Sequence, residues 1–89
     1  MKITAKRVLL ENGFVPERTV TVENGVITAI GAAEKGDILC DTLVPGFLDQ
    51  HVHGGMGADV MCAEPEKMLE WLRFLQKNGV TRVLAGIYT

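Results

Sequence analysis

Between residues 47 and 87 the hydrophobic pattern changes period twice. Residues 47–53 read as a buried strand. After Pro65, the apolar residues Met68, Leu69, Leu72 and Leu75 recur at helical spacing, with Trp71 nearby. Lys67, Glu70, Arg73 and Lys77 fill other positions. Residues 80–87 are again apolar at most positions and read as a second strand. Pro65 suits the first residue of the helix and Gly79 its C-terminal cap. A strand, a helix and a strand in this space form a βαβ unit. Such a unit predicts two parallel strands joined by a right-handed crossover.

The first 45 residues follow another rule. Ile3, Ala5, Val8 and Leu10 suit a strand over residues 2–10, and Asn12-Gly13 marks a turn. Residues 19–23 alternate strictly and predict a second strand. Asn24-Gly25 follows, a pair that tolerates positive φ and so favours a tight hairpin. Residues 26–30 return, Gly36-Asp37 turns again, and residues 38–44 make a fourth strand. The expectation is an antiparallel β-unit that ends where the pattern changes, at Pro45-Gly46. A closed barrel needs roughly 250 residues. The 89 present therefore read as one small domain or a piece of a longer protein.

Composition excludes several classes. The net charge is −2, and the nine Lys and Arg residues are scattered, unlike the basic stripe of a nucleic-acid binder. No apolar run approaches the roughly 18 residues of a membrane span. The run Val8-Leu9-Leu10 is too short for the core of a signal peptide, so a cytoplasmic location is expected. Cys40 and Cys62 are far apart and belong to no metal-ligand spacing. They read as reduced thiols.

The chemistry concentrates at the end of the first strand of the βαβ unit. Both histidines of the chain, His51 and His53, lie two positions apart. Alternation puts them on one face, roughly 6–7 Å apart along the backbone. Phe47 and Asp49 share that face, and Leu48, Gln50 and Val52 take the other. Two neutral imidazoles are half of a metal site, since zinc takes about four ligands, or about three and a water. A bare His-x-His is a short pattern, and such histidines can simply be hydrogen-bonded within a core. Their place at the C-terminal end of a βα strand, where barrel enzymes keep their reactive groups, favours the metal. Asp49 is expected to orient an imidazole or to bond backbone, because a buried carboxylate needs a partner. Gly54-Gly55-Met56-Gly57 reads as a flexible loop, one that matches no nucleotide-binding pattern. It either lets N–H groups approach an anion or makes room. Asp59 is expected to cap the next turn, and Met68, Leu72, Leu75 and Trp71 to pack the helix on the sheet.

Residues 43–61 read Leu-Val-Pro-Gly-Phe-Leu-Asp-Gln-His-Val-His-Gly-Gly-Met-Gly-Ala-Asp-Val-Met. This run resembles the entry to the barrel in the amidohydrolase superfamily. The segment His53-Gly54-Gly55, then Gly57-Ala58-Asp59, then a helix ending in Gly79-Val80-Thr81, is more narrowly similar to the N-acetylglucosamine-6-phosphate deacetylase family. The Glu23-Asn24-Gly25-Val26-Ile27 hairpin fits the small β-sandwich that precedes such barrels. The resemblance implies an α/β fold in two parts: residues 1–45 a partial β-sandwich, and residues 46–89 the first β-α-β segment of a TIM-type barrel. It implies hydrolysis of N-acetylglucosamine 6-phosphate to glucosamine 6-phosphate and acetate. A divalent metal, zinc or iron, would be held in part by His51 and His53. The family's ligating Glu, two later His and catalytic Asp would lie after Thr89. The 89 residues alone are therefore expected to be inactive. Their unpaired strand edges invite other copies, so a homo-oligomer is expected. Residues 84–89, Leu-Ala-Gly-Ile-Tyr-Thr, depart from the Pro-Thr-Thr type of ending the resemblance implies for this strand. Two rivals stand beside this reading. One is another amidohydrolase of the cyclic amidase, dihydroorotase or deaminase type. The other is a non-catalytic β-rich assembly module.

Overall fold

The structure, a computed structural model, describes residues 1–88. Thr89, the last residue of the expected barrel segment, lies outside the described residues. The chain is α/β, mostly strand with one helix, and divides into two compact units at Pro45/Gly46.

The first unit, Met1–Pro45, holds β1 (Lys2–Leu10), β2 (Gly13–Glu23), β3 (Val26–Ala32) and β4 (Ile38–Leu43) in one sheet of order β3-β2-β1-β4. β1 pairs antiparallel with β2 from Lys2↔Thr21 to Leu10↔Gly13. The β2–β3 hairpin turns on Asn24 and Gly25, with φ of 51° and 77°, the positive pair that a twisted two-residue turn requires. β2 starts six residues before the expected Thr19. Pro16 hides this in the sequence. It sits beyond the stretch that β3 covers, so its missing N–H faces an open edge.

One expectation is corrected here. The unit is not wholly antiparallel: β4 runs parallel to β1, in register from Ile3↔Ile38 to Val8↔Leu43. Gly36-Asp37 looks like another hairpin turn, but residues 33–37 carry the chain past β2 to the far edge of β1. Polar contacts pin that crossing. The Glu34 N–H donates to Thr19 Oγ1 (2.9 Å), Thr4 Oγ1 donates to the Glu34 carbonyl (2.8 Å), and the Asp37 N–H donates to the Lys2 carbonyl (2.8 Å). A Cβ on Gly36 would lie 2.5 Å from Thr4 Oγ1, so only glycine lets the connection lie this close. Ala5, Val8 and Val20 form the buried core, with Leu10, Val15, Val22, Cys40 and Leu43 packed against it. Val20→Ala is expected to cost about 2 kcal/mol from lost burial and the cavity left behind, read as a lower urea midpoint.

The second unit begins at Gly46. It holds β5 (Phe47–Val52), β6 (Gly54–Gly55), β7 (Ala58–Asp59), α1 (Pro65–Lys77) and β8 (Val80–Ala85). β5 and β8 are parallel, with Phe47 opposite Val80 and Val52 opposite Ala85. Pro65 opens the helix and Glu66 lies in its first turn, where a carboxylate meets the positive end of the helix dipole. At the other end Asn78 is the cap, its Nδ2 donating to the Phe74 carbonyl (2.8 Å). Gly79, expected to be the cap itself, follows it with φ of 86°, in the left-handed conformation that ends helices.

Trp71 is 2% exposed and is the largest fully buried side chain. Its indole lies over Gly55, where a Cβ would stand 2.8 Å from Nε1. Three expectations change in this unit. Gly54 to Gly57 is not a loose loop. Gly54 pairs with Asp59 and Gly55 with Ala58, around a tight turn in which Met56 and Gly57 both have positive φ. Leu72 is 39% exposed, so the inward stripe runs through Met68, Trp71 and Leu75 instead. β5 is not buried, and Phe47 is 62% exposed. Among the described residues β5 pairs with β8 alone, which leaves its other edge open.

Candidate metal centre

β5 ends beside β8, and this parallel pairing builds the site. His51 lies in β5 and His53 directly follows it. Alternation sends both rings to one side, as period two requires. The ring centroids are 5.0 Å apart, with planes at 84°. The two Nε2 atoms approach to 3.1 Å. With Zn–N bonds of about 2.0–2.1 Å, neighbouring nitrogens stand ~3.3 Å apart on a tetrahedral ion and ~2.9 Å apart on an octahedral one. The observed separation falls between these values, so the pair fits two adjacent positions on one ion.

The protonation of His53 follows from its other nitrogen. Nδ1 lies 2.9 Å from the Gly86 carbonyl oxygen. A carbonyl only accepts, so Nδ1 carries the hydrogen and Nε2 presents its lone pair toward His51. His51 Nε2 then either donates a hydrogen to that lone pair or, in its other tautomer, adds a second lone pair to the same point. The close approach of His53 depends on Gly86. A Cβ there would stand 2.7 Å from His53 Cε1 and 2.9 Å from Nδ1.

Asp49 takes the backbone role, its Oδ1 accepting the His51 N–H at 3.1 Å. Asp59 Oδ1 accepts the Met61 N–H at 2.8 Å and caps the turn that follows β7. Among the described residues, no group of three or more His, Cys, Asp or Glu side chains is placed to hold an ion. Cys62 is an exposed free thiol.

Two neighbours of His53 escaped the sequence reading, Gly86 and Tyr88. The Tyr88 ring meets His53 edge-on, with centroids 5.1 Å apart and planes at 87°. Its hydroxyl lies 3.3 Å from Asp59 Oδ2. What brings them there is the pairing of Val52 with Ala85, which no local sequence signal marks. It carries the residues after β5 alongside those after β8.

The Asp59 carboxylate disfavours a second negative charge beside it, and so raises the Tyr88 phenol above its ordinary 10.0. The stabilisation from this contact is fully present below pH about 10 and is lost as pH rises through the raised value. Tyr88 is the only tyrosine of residues 1–89, so phenolate absorbance of this 89-residue chain reports it. Asp59→Asn is expected to bring the titration midpoint down toward the ordinary value.

No family model matches the chain. It is 37% identical over 93 aligned positions to N-acetylglucosamine-6-phosphate deacetylase of Vibrio furnissii, across 96% of this chain and 23% of that protein. It is 32% identical over 84 positions to N-acetylgalactosamine-6-phosphate deacetylase of Escherichia coli O157:H7, across 88% of this chain and 21% of that protein. A weaker similarity, 31% over 77 positions, links it to adenine deaminase of Listeria welshimeri, across 82% of this chain and 12% of that protein. In structure it superposes on N-acetyl-D-glucosamine-6-phosphate deacetylase of Mycobacterium smegmatis, a mutant form in complex with N-acetyl-D-glucosamine-6-phosphate. The TM-score is 0.87 and the identity 26%, across 100% of this chain and 25% of that one. The chain thus spans between a fifth and a quarter of the length of the deacetylases it matches. In sequence and in fold it corresponds to the N-terminal region of N-acetylglucosamine-6-phosphate deacetylases, the family that residues 43–61 resemble.

Proposed function

We propose that the intact protein is a metal-dependent deacetylase. It adds water across the acetamido bond of N-acetylglucosamine 6-phosphate and yields glucosamine 6-phosphate and acetate. The observation that carries this reading is the 3.1 Å convergence of His51 and His53 Nε2 at the C-terminal end of a parallel strand. The names of the relatives supply the substrate class. A bound divalent ion, zinc or iron, would polarise the amide carbonyl and lower the pKa of a water. His51 and His53 would hold it through Nε2. The Gly86 carbonyl keeps the proton of His53 on Nδ1, so that Nε2 presents a lone pair. The remaining ligands and the carboxylate that shuttles the proton to the leaving amine would come from the rest of the protein.

In this reading, the unit that begins at Gly46 is the first β-α-β segment of a TIM-type barrel. The sheet of Met1–Pro45 is part of a small β-sandwich. The protein works in the cytoplasm as a homo-oligomer, and the 89 residues by themselves have no turnover. No helix among the described residues is long and apolar enough to cross a membrane.

The similarity to an adenine deaminase supports one second reading, an amidohydrolase acting on a nucleobase. Parallel assays of the intact protein separate the two. Acetate release from N-acetylglucosamine 6-phosphate is expected, with loss on chelation and recovery on adding zinc or iron. N-acetylgalactosamine 6-phosphate, run beside it, tests which sugar is preferred. Ammonia from adenine with no acetate from either sugar would transfer the assignment to the deaminases. A metal-free protein of defined size, inert in every assay, would leave the assembly-module reading.

A further inference from the structure

We propose that Tyr88 is a positioning residue whose ring, braced by Asp59, holds the His53 imidazole in its metal-competent orientation. This rests on the metal-site reading above and deepens it. A hydrogen bond at Nδ1 fixes the proton and one axis of an imidazole. It leaves the ring free to swing about that bond, and the bond itself can break.

Two features at the end of β8 remove that freedom. Gly86 provides a floor that no side chain occupies, and the Gly86 carbonyl takes the Nδ1 hydrogen at 2.9 Å. Tyr88 provides a wall, meeting the His53 ring edge-on at 5.1 Å. Tyr88 is half-exposed, and a second contact adds to the hold of the His53 ring on it. Its hydroxyl reaches back to Asp59 Oδ2, which joins the end of β8 to the β6–β7 hairpin. Asp59 is a firm anchor, since its other oxygen already accepts the Met61 N–H and its carbonyl accepts from Cys62 and Ala63. The 3.3 Å hydroxyl contact is long for an O–H···O bond, which usually lies near ~2.7–2.8 Å. The ring contact is therefore the main constraint, and the tether is secondary. Among the described residues His51 has no matching bracket, so the two ligands differ: His53 is preset and His51 adjusts.

The experiment compares the intact wild-type protein with Tyr88→Leu and Tyr88→Phe. Two quantities are measured on each. One is the His53 tautomer, from long-range nitrogen–proton spectra of the metal-free imidazoles. The other is zinc affinity, from competition with a chelator. Circular dichroism confirms that each variant is folded. Wild type is expected to show the Nδ1–H form of His53. Tyr88→Leu is expected to mix the tautomers and weaken zinc binding about tenfold, the scale of an outer-shell loss. Tyr88→Phe keeps the ring and should lose less than about threefold, given the long hydroxyl contact.

Tyr88→Leu with an unchanged tautomer and affinity would overturn the proposal. So would Tyr88→Phe losing as much as Tyr88→Leu, because the ring would then not be the cause. If wild type binds no zinc while Tyr88→Leu still scrambles the tautomer, the metal reading fails and the bracket stands.

Discussion

His53→Ala is expected to weaken zinc binding by the intact protein more than about 100-fold, and His51→Ala by a similar factor. Losing an outer-shell partner costs about 10- to 100-fold in metal affinity, and losing a ligand costs more. The two variants differ in what else they disturb. His51 is exposed, and its side chain bonds only to His53 among the hydrogen bonds of the described residues. Removing it should leave thermal stability unchanged. His53 also bonds the Gly86 carbonyl in a partly buried position, so its removal should cost about 1 kcal/mol of stability as well. Chelator competition and thermal melts, run on both variants, separate loss of metal from loss of fold. Full zinc occupancy in both would remove the imidazole pair from the chemistry.

The second large effect concerns the fold. Trp71→Ala is expected to destabilise the unit that begins at Gly46 by about 3–5 kcal/mol. Trp71 and Ala58 are the only buried hydrophobic residues of that unit among the described residues, and Trp71 supplies most of the volume. A unit of this size has a total stability on the order of 2–7 kcal/mol, so the loss is comparable to the whole. Gly55 sits under the indole, and the cavity would have no side chain on that side to fill it. Leu69→Ala is the control: at 49% exposed, it should change stability by less than about 1 kcal/mol. Urea unfolding followed by far-ultraviolet circular dichroism reads both. A Trp71→Ala midpoint as high as that of Leu69→Ala would show that the helix is held by something other than its tryptophan.

Some of this molecule was written in its local pattern. The alternation of residues 19–23 and the Asn24-Gly25 pair specify a hairpin because period and turn geometry depend only on neighbours. Pro65 and Gly79 bound the helix for the same reason. The shared side of His51 and His53 is local too, since it needs nothing beyond the pleat of one strand. The resemblance carried by residues 43–61 likewise needed only the order of residues, and the relatives match along nearly the whole chain.

Other features arise from pairings between residues far apart in the chain. β4 lies parallel to β1 because the Thr4, Thr19 and Glu34 contacts pin a crossing that a turn signal cannot distinguish from a hairpin. β5 reads from its sequence as a buried strand, yet it is largely exposed. How far a strand is covered depends on how many neighbours dock on it, and a single strand's pattern does not count them. Most of the site belongs to this second group. The hydrogen on His53 Nδ1 is assigned by a carbonyl 33 residues away, and the Tyr88 ring arrives by the register of β5 on β8. Sequence by itself determined the Asn24-Gly25 hairpin, the helix and its ends, and the paired imidazoles, all governed by backbone geometry over a few residues. Tertiary structure alone decided sheet order, burial, tautomer and the surroundings of His53, because these depend on long-range contacts that no local pattern encodes.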